Sequence, residues 1–152
     1  MQIRLDDLSG GEVIALLQEH LADMYATSPP ESVHALDVEA LKASNISFFS
    51  AWQDNTLAGC VAIKALDNQQ AELKSMRTAT AFRGQGVGQA LLQFVIDHAK
   101  ARGFSSLSLE TGTQDYFAAA RALYRKFGFS DCGPFGLYTL DPNSHFMTLK
   151  LC

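Results

Sequence analysis

Three alternate glycines form the part of this sequence with the clearest chemical potential. They lie in the run Arg83-Gly84-Gln85-Gly86-Val87-Gly88, between a stretch typical of a β-strand, Glu72 to Thr78, and a helical pattern, Gln89 to Lys100. Glycine permits positive φ and lets backbone N–H groups approach a ligand closely. The first turn of a helix adds unpaired N–H donors and the positive end of the helix dipole. The order strand, glycine loop, helix therefore predicts a site for an anion such as phosphate or pyrophosphate.

The spacing of these glycines separates several kinds of phosphate site. A P-loop needs Gly-Lys-Ser/Thr at the helix start, whereas Gln89 and Ala90 follow Gly88. The dinucleotide fingerprint G-x-G-x-x-G needs a glycine at position 89 and a loop directly after a strand, so it matches weakly. A glycine-rich turn that only connects two elements is a further alternative. The run does resemble the Arg/Gln-x-x-Gly-x-Gly/Ala signature of the GNAT superfamily of N-acetyltransferases, with Arg83, Gly86 and Gly88 in the matching positions.

A second segment carries the same resemblance. Residues 120–129 read Ala-Arg-Ala-Leu-Tyr-Arg-Lys-Phe-Gly-Phe and are similar to the family's Ala-x-x-Leu-Tyr-x-x-x-Gly-Phe segment. The resemblance implies acetyl-CoA as cosubstrate, with its pyrophosphate on the loop and its pantetheine arm paired to the backbone of the preceding strand. At Phe117, where many relatives have Asn, the sequence departs from the family pattern. The implied cosubstrate contacts are Met76, Arg77, Thr78, Arg83, Gly84, Gln85, Gly86, Val87, Gly88, Gln89 and Tyr124.

Acetyl transfer to an amine needs one group that takes a proton from the amine and one that protonates the departing thiolate. The resemblance gives the second role to Tyr124, although a tyrosine on the apolar side of a helix is also an ordinary core residue. Glu72, on the strand expected to hold the acetyl group, is the candidate base, and Glu110 at the end of the next strand is its competitor. We expect His34, Glu110 and Tyr138 to contact the acceptor; the segments of His34 and Tyr138 would flank the acceptor opening. His34 could bind the acceptor, act as a base, or be a surface residue without a role.

Hydrophobic periodicity predicts the elements that position these residues. The resulting order, β, α, α, β, β, β, α, β, α, β, β, matches the GNAT fold. We therefore expect an α/β (α+β) protein with a mixed, mostly antiparallel sheet of six to seven strands, flanked by about four helices. The predicted elements include a helix from Val13 to Met24, a short helix from Asp37 to Lys42 capped by Asp37, a hairpin of Ile46 to Trp52 and Leu57 to Ala65, a strand from Ser105 to Thr111, a helix over Phe117 to Phe127, a strand from Phe129 to Asp131 extended through Tyr138, and a last strand from Phe146 to Leu151.

Length, composition and charge exclude several classes of protein. The 152 residues fit one domain, residues 1–152. A net charge of −4 without a Lys/Arg cluster argues against a nucleic-acid partner, although Lys74, Arg77 and Arg83 make the surroundings of the loop mildly positive. Neither a signal peptide nor a membrane span is apparent, so we expect a cytoplasmic protein without a membrane partner. Three widely spaced cysteines and four histidines without ligand spacing predict neither a disulfide framework nor a metal site.

Three functional hypotheses follow. The favoured one is an acetyl-CoA-dependent N-acetyltransferase that acts directly on a small-molecule amine, similar to a bacterial branch of the GNAT superfamily. The second is a CoA- or nucleotide-sensing module that keeps the loop without turnover. The third is a Rossmann-like oxidoreductase in which Glu110 would bind a ribose. A homodimer is compatible with the resemblance, and the acceptor, the length of the acyl group and the base are left open.

Overall fold

The computed structural model describes residues 1–34 and 36–151. Seven strands form one sheet in the order β1-β2-β3-β4-β5-β7-β6. The sheet is antiparallel except for the β4–β5 pair, as the sequence predicts. The strands are β1 (Gln2–Leu5), β2 (Ile46–Gln53), β3 (Thr56–Ala65), β4 (Gln70–Thr78), β5 (Ser106–Gly112), β6 (Ser130–Cys132) and β7 (Ser144–Lys150).

Three α-helices cover the two faces of the sheet: α1 (Gly11–Thr27), α2 (Val87–Ala101) and α3 (Ala118–Lys126). Val13, Leu16 and Leu17 of α1 pack on the face of β2 and β3 that carries Phe48, Cys60 and Ala62. The apolar side of α2 forms the larger core on the opposite face, against alternate residues of β3, β4 and β5. Each helix thus buries the side that its 3.6-residue periodicity predicts. The apolar residues that α2 contributes are Val87, Leu91, Leu92, Val95, Ile96 and Ala99.

The β2–β3 hairpin and a glycine on β3 set the distance between sheet and helix. Asp54 and Asn55 adopt φ values of 51° and 64°, which a tight hairpin turn requires and which Asp and Asn tolerate. On β3, a side chain at Gly59 would come within 2.7 Å of the Arg77 carbonyl oxygen and 3.1 Å of Val87. Gly59 therefore lets the start of α2 pack directly on the sheet, which places the glycine loop beside the end of β4.

Strands β4 and β5 pair for only a short distance. Their parallel register covers Gln70 to Glu72 opposite Ser106 to Ser108, and the helix α2 makes the crossover between them. Beyond Glu72 the pairing stops, and Ser75 has a φ of 53° where the β3–β4 register shifts. Such a bulge bends its strand. The second half of β4 thus leaves β5, and a cleft opens between the two strands.

Two predicted elements differ in the structure. The short helix expected from Asp37 to Lys42 is a single 3₁₀ turn, Ala40–Lys42, with the Asp37 carboxylate accepting the Ala40 N–H at 2.8 Å. The predicted cap is present, but the segment is too short for an α-helix, which leaves three α-helices rather than about four. The strand expected to run through Tyr138 ends at Cys132, because the following segment turns at Phe135 to Tyr138. Among the described residues, no helix combines the length and apolar character needed to cross a membrane.

Candidate active site

A cleft of about 650 Å³ lies where β4 and β5 separate. One end is bounded by the glycine loop and the start of α2, and the other by buried polar side chains of β4 and β5. The cleft brings together most of the residues singled out in the sequence. Met76, Arg77, Thr78, Arg83, Gly84, Gly86, Val87, Gly88, Gln89, Tyr124, Glu72, Glu110, Tyr138 and His34 all line it.

The glycine loop has the geometry of an anion site. Gly84 and Gly86 have φ values of 75° and 82°, in the left-handed region that favours glycine. Gly86 is also the N-cap of α2, and no side chain caps this helix. The first intrahelical hydrogen bond runs from Ala90 N–H to the Gly86 carbonyl, so the preceding N–H groups of the first turn lack a helical partner. Gln85 lies outside the cleft lining, and its side chain donates a hydrogen bond to the Ala81 carbonyl.

Backbone rather than side chains lines the adjoining part of β4. From Leu73 to Thr78 this strand pairs with β3 alone, so the backbone groups directed toward β5 have no strand partner. Unpaired strand edges readily accept a further extended chain. The Arg77 side chain points away from this edge and binds Glu19 at 2.6 Å and Asp23 at 2.7 Å, both on α1. A cosubstrate contact at Arg77 could therefore use only its backbone.

The positive charge expected around the loop is largely neutralised. Arg77 is committed to α1, and Lys74 pairs with Glu72 at 3.1 Å. Of the three cations noted in the sequence, Arg83 is exposed and lines the cleft without such a pairing among the described residues. The expectation of a mildly positive surrounding therefore holds for Arg83 and fails for the other two, because their charges are cancelled by acidic neighbours.

Glu72, Lys74 and Tyr138 form a buried triad at the far end of the cleft. Glu72 is 3% and Lys74 is 9% exposed. The Tyr138 hydroxyl donates to Glu72 Oε2 at 2.6 Å, and Lys74 Nζ donates to the same oxygen at 3.1 Å and to the Tyr138 hydroxyl at 3.0 Å. Burial raises the pKa of Tyr138, and the Glu72 charge adds to the effect. Tyr138 therefore stays protonated and holds Glu72, so Glu72 is less available as a base than the sequence suggests.

Glu110 and Tyr124 face the cleft from β5 and α3. Burial raises the pKa of Glu110 to about 7; the Ser144 hydroxyl and Lys74 oppose this effect, and the Glu72 and Asp141 carboxylates add to it. Burial also raises the pKa of Tyr124, and the Glu110 charge acts in the same direction. Tyr124 thus keeps its proton near neutral pH, as a hydrogen-bond donor must. Glu110, in contrast, changes its charge close to neutral pH.

Two loops close the acceptor side of the cleft. The His34 ring packs edge-on against the Tyr138 ring with centroids 5.0 Å apart. Ser32, in the same loop, donates a hydrogen bond to Asp141 at 2.8 Å, which ties this loop to the segment before β7. Tyr138 also contacts Phe135 and Phe146 with centroids 5.1 Å and 5.5 Å apart. Together these contacts cover the polar face of β4 and β5.

The comparisons with known proteins agree with this geometry. Residues 13–129 match the model of the acetyltransferase (GNAT) family. This chain belongs to the GNAT family. It is 50% identical over 151 residues to the uncharacterized N-acetyltransferase YsnE of Bacillus subtilis, covering 99% of this chain and 100% of that protein. It is 44% identical over 142 residues to the IAA acetyltransferase of Azospirillum brasilense, covering 92% and 89%.

The solved structures show the same fold for this GNAT protein. The structure of a protein provisionally named an acyl-CoA N-acyltransferase, from Klebsiella pneumoniae, superposes with a TM-score of 0.80 at 26% identity, covering 99% of this chain and 97% of that one. With the named relatives, this shows that the protein is an N-acetyltransferase. The enzyme hypothesis is therefore confirmed over the sensing module, and the mostly antiparallel sheet excludes the Rossmann alternative.

Sequence reasoning missed the partners of the named residues. Glu72 and Lys74 are two apart on a strand and so share a face, which could have predicted their ion pair. Tyr138 lies 66 residues from Glu72, and its bond depends on a turn without a strong sequence signal. Phe117, where the sequence departs from the family pattern, packs so closely on Gly112 that an added Cβ at Gly112 would clash with its ring. Within residues 1–34 and 36–151, no three His, Cys, Asp or Glu side chains converge in the manner of metal ligands.

Proposed function

We propose that this enzyme transfers the acetyl group of acetyl-CoA directly to the amine of a small molecule. The observation that carries the proposal is the cleft between β4 and β5, which has the uncapped start of α2 at one end and a buried and a partly buried carboxylate at the other. The GNAT family uses acetyl-CoA. Its diphosphate fits the uncapped start of α2, and its pantetheine arm fits the unpaired edge of β4 as a further strand.

The residues of the cleft divide the work along its length. Main-chain N–H groups of Arg83 to Gln89 would hold the diphosphate, and backbone groups of Met76, Arg77 and Thr78 would align the pantetheine arm. N–H groups of the same strand would polarise the thioester carbonyl, which stabilises the oxyanion without side chains. Tyr124, protonated and buried, would donate to the departing sulfur. His34, Glu110 and Tyr138 would contact the acceptor on the opposite side.

The size of the acceptor follows from the closed side of the cleft. The whole cleft measures about 650 Å³, and the pantetheine arm would fill part of it. His34 and Tyr138 pack against each other at the acceptor side, and this covered surface favours a small molecule over a folded partner. We also propose that residues 1–152 act as one domain, because β3 contributes side chains to both apolar cores.

Incubation with acetyl-CoA and a panel of small amines, followed by free thiol and by the mass of the product, tests this function. We expect thiol release that depends on the amine and a product about 42 Da heavier than the amine, because an acetyl group replaces one hydrogen. Gly86→Val should strongly lower the activity at a limiting acetyl-CoA concentration, because the anion site depends on the left-handed conformation at this position. Thiol release without any acetylated amine, or equal activity of the Gly86 variant, would contradict the proposal.

A further inference from the structure

The two acidic side chains on the polar face of the cleft have different surroundings. Glu72 accepts hydrogen bonds from Lys74 and Tyr138 on one oxygen and lies within an ion pair. Glu110 has no Lys, Arg or His partner at salt-bridge distance among residues 1–34 and 36–151, although it is partly buried. A buried carboxylate without a cation is costly, unless a ligand supplies the cation.

The sheet register places Glu110 where an acceptor could supply that cation. Glu72 lies opposite Ser108 in the β4–β5 pair, and Glu110 is two residues further along the same face of β5. The strands separate just beyond this pair, so the space beside Glu110 belongs to the cleft. Tyr124 lines the same cleft from α3, close enough for the Glu110 charge to affect its pKa. Glu110 therefore lies near both Tyr124, the expected proton donor to the thiolate, and the triad of Glu72, Lys74 and Tyr138.

We propose that Glu110 binds the acceptor as an ammonium ion and accepts its proton, whereas Glu72 is held by Lys74 and Tyr138 as a positioning residue. This inference rests on the proposed function. It reverses the preference drawn from the sequence, in which Glu72 is the candidate base and Glu110 is its competitor and a contact of the acceptor. The reason is that Glu72 Oε2 accepts hydrogen bonds from both Lys74 and Tyr138 within an ion pair, whereas Glu110 has no ion pair among the described residues.

The proton balance of the reaction is as follows. The acceptor R–NH3⁺ transfers one proton to the Glu110 carboxylate, and the neutral nitrogen forms a bond to the thioester carbon. The carbon–sulfur bond then breaks with its electron pair on sulfur, and the Tyr124 hydroxyl supplies the proton of the resulting thiol. The nitrogen releases its second proton and Tyr124 is reprotonated through water. The products are the amide, the thiol and one proton, carried by Glu110 until it returns to solvent.

The groups around Glu110 set the pH at which it can accept a proton. Burial raises its pKa to about 7, so the carboxylate form predominates only above neutral pH. We expect kcat/KM to rise about tenfold per pH unit below pH 7 and to level off above it, because the free enzyme must lose one proton. The charged or titratable groups that face Glu110 are Glu72 and Lys74 on β4, Tyr124 on α3, and Tyr138 and Asp141 in the segment before β7.

The decisive experiment compares Glu110→Gln with Glu72→Gln on two kinds of amine. Alkylamines are ammonium ions near neutral pH, whereas arylamines and hydrazides are neutral and need no base before attack. For alkylamines, we expect Glu110→Gln to lower kcat/KM at least about 100-fold and to abolish the rise near pH 7. For the neutral amines that the parent enzyme accepts, the loss should stay below about tenfold. Glu72→Gln should keep the rise near pH 7.

Matched variants keep the result interpretable. Glu12→Gln removes an exposed carboxylate at the start of α1, away from the cleft, and should leave both rates unchanged. Glu110→Asp retains a carboxylate and should retain the pH-dependent rise at a reduced rate, which also covers the case that Glu110→Gln does not fold.

Two results would overturn the inference: equal losses of kcat/KM for Glu110→Gln on both kinds of amine, or a rise near pH 7 that is lost in Glu72→Gln. In either result the acetylated product would still support the proposed function, whereas the absence of any acetylated amine would contradict it.

Discussion

The two ends of the cleft present different kinds of chemical group, backbone at one end and side chains at the other. At the glycine loop, the candidate contacts are main-chain N–H groups of a loop and a helix terminus, and a capping side chain is absent from this helix. At the acceptor end, the surface consists of charged and aromatic side chains from β4, β5 and two loops. A site made of backbone depends on conformation, and many sequences can supply it. A site made of side chains depends on each residue, so substitutions at this end should change the choice of acceptor.

The largest effect that separates the two ends is expected at Gly86. Gly86→Val should raise the KM for acetyl-CoA at least about 100-fold, because φ near 82° excludes a β-branched residue and the loop must rearrange. Gly88→Ala is the matched control, since its Cβ would meet Leu123 and Thr78 at an ordinary 3.6 Å and its φ is not left-handed. Steady-state kinetics with acetyl-CoA as the varied substrate measures both. Similar KM values for Gly86→Val and the parent would show that the loop is not the diphosphate site.

A smaller effect is expected at Tyr124, which lies between the two ends. Tyr124→Phe keeps the buried ring and removes the hydroxyl, so kcat should fall about 100-fold, as for the loss of a general acid, with little change in acetyl-CoA affinity. Turnover and equilibrium binding of CoA measure the two quantities. If kcat equals that of the parent enzyme, Tyr124 contributes packing alone.

Substitutions at the acceptor end should also change the stability of the folded protein. Lys74→Met leaves the Glu72 carboxylate buried without its cation, which should lower the free energy of unfolding by about 3 kcal/mol. The double variant Glu72→Gln/Lys74→Met removes both charges and should recover part of that loss. Chemical denaturation at pH 7 compares the three proteins. A double variant that is less stable than Lys74→Met would show that the pair does not act as a unit.

The smallest expected effect is a gain in stability from Glu110→Gln that grows with pH. The folded-state pKa of Glu110 is raised from 4.5 to about 7, so the folded state binds the proton more tightly than the unfolded state. Stability is therefore lost as pH rises from about 4.5 to 7, with a ceiling of about 3 kcal/mol from 1.36 kcal/mol per pKa unit. Denaturation of the parent and Glu110→Gln at pH 5 and pH 8 measures the difference. We expect the variant to be more stable than the parent at pH 8 only.

The sequence predicted the backbone end of the cleft much better than the side-chain end. Alternating apolar residues located β2, β3, β4 and β5, and the glycines located the start of α2, because both patterns are local. The 3₁₀ turn Ala40–Lys42 was predicted as a helix, since the capping signal of Asp37 does not reveal how far a helix continues. The strand that ends at Cys132 was predicted to run through Tyr138, since its apolar pattern does not reveal the turn at Phe135 to Tyr138.

The acceptor end could not be predicted because its contacts join distant parts of the chain. Tyr138 reaches Glu72 across 66 residues, and Arg77 is bound by α1 across 54 and 58 residues. Such contacts decide whether a charged residue is free to act on a ligand. Glu72 and Glu110 read alike as glutamates on strands, and burial, register and partners distinguish them only in the folded protein.

In the segment between β6 and β7, the Phe135 and Tyr138 rings pack on Phe146 of β7, while the neighbouring Leu137 and Leu140 remain exposed. This segment begins and ends on adjacent antiparallel strands and takes no part in the glycine loop. Replacing this segment with that of a relative should therefore alter the choice of acceptor and leave the affinity for coenzyme A unchanged. For protein engineering, this segment is therefore the part of the molecule to exchange when a different acceptor is wanted, because the glycine loop can be left unchanged.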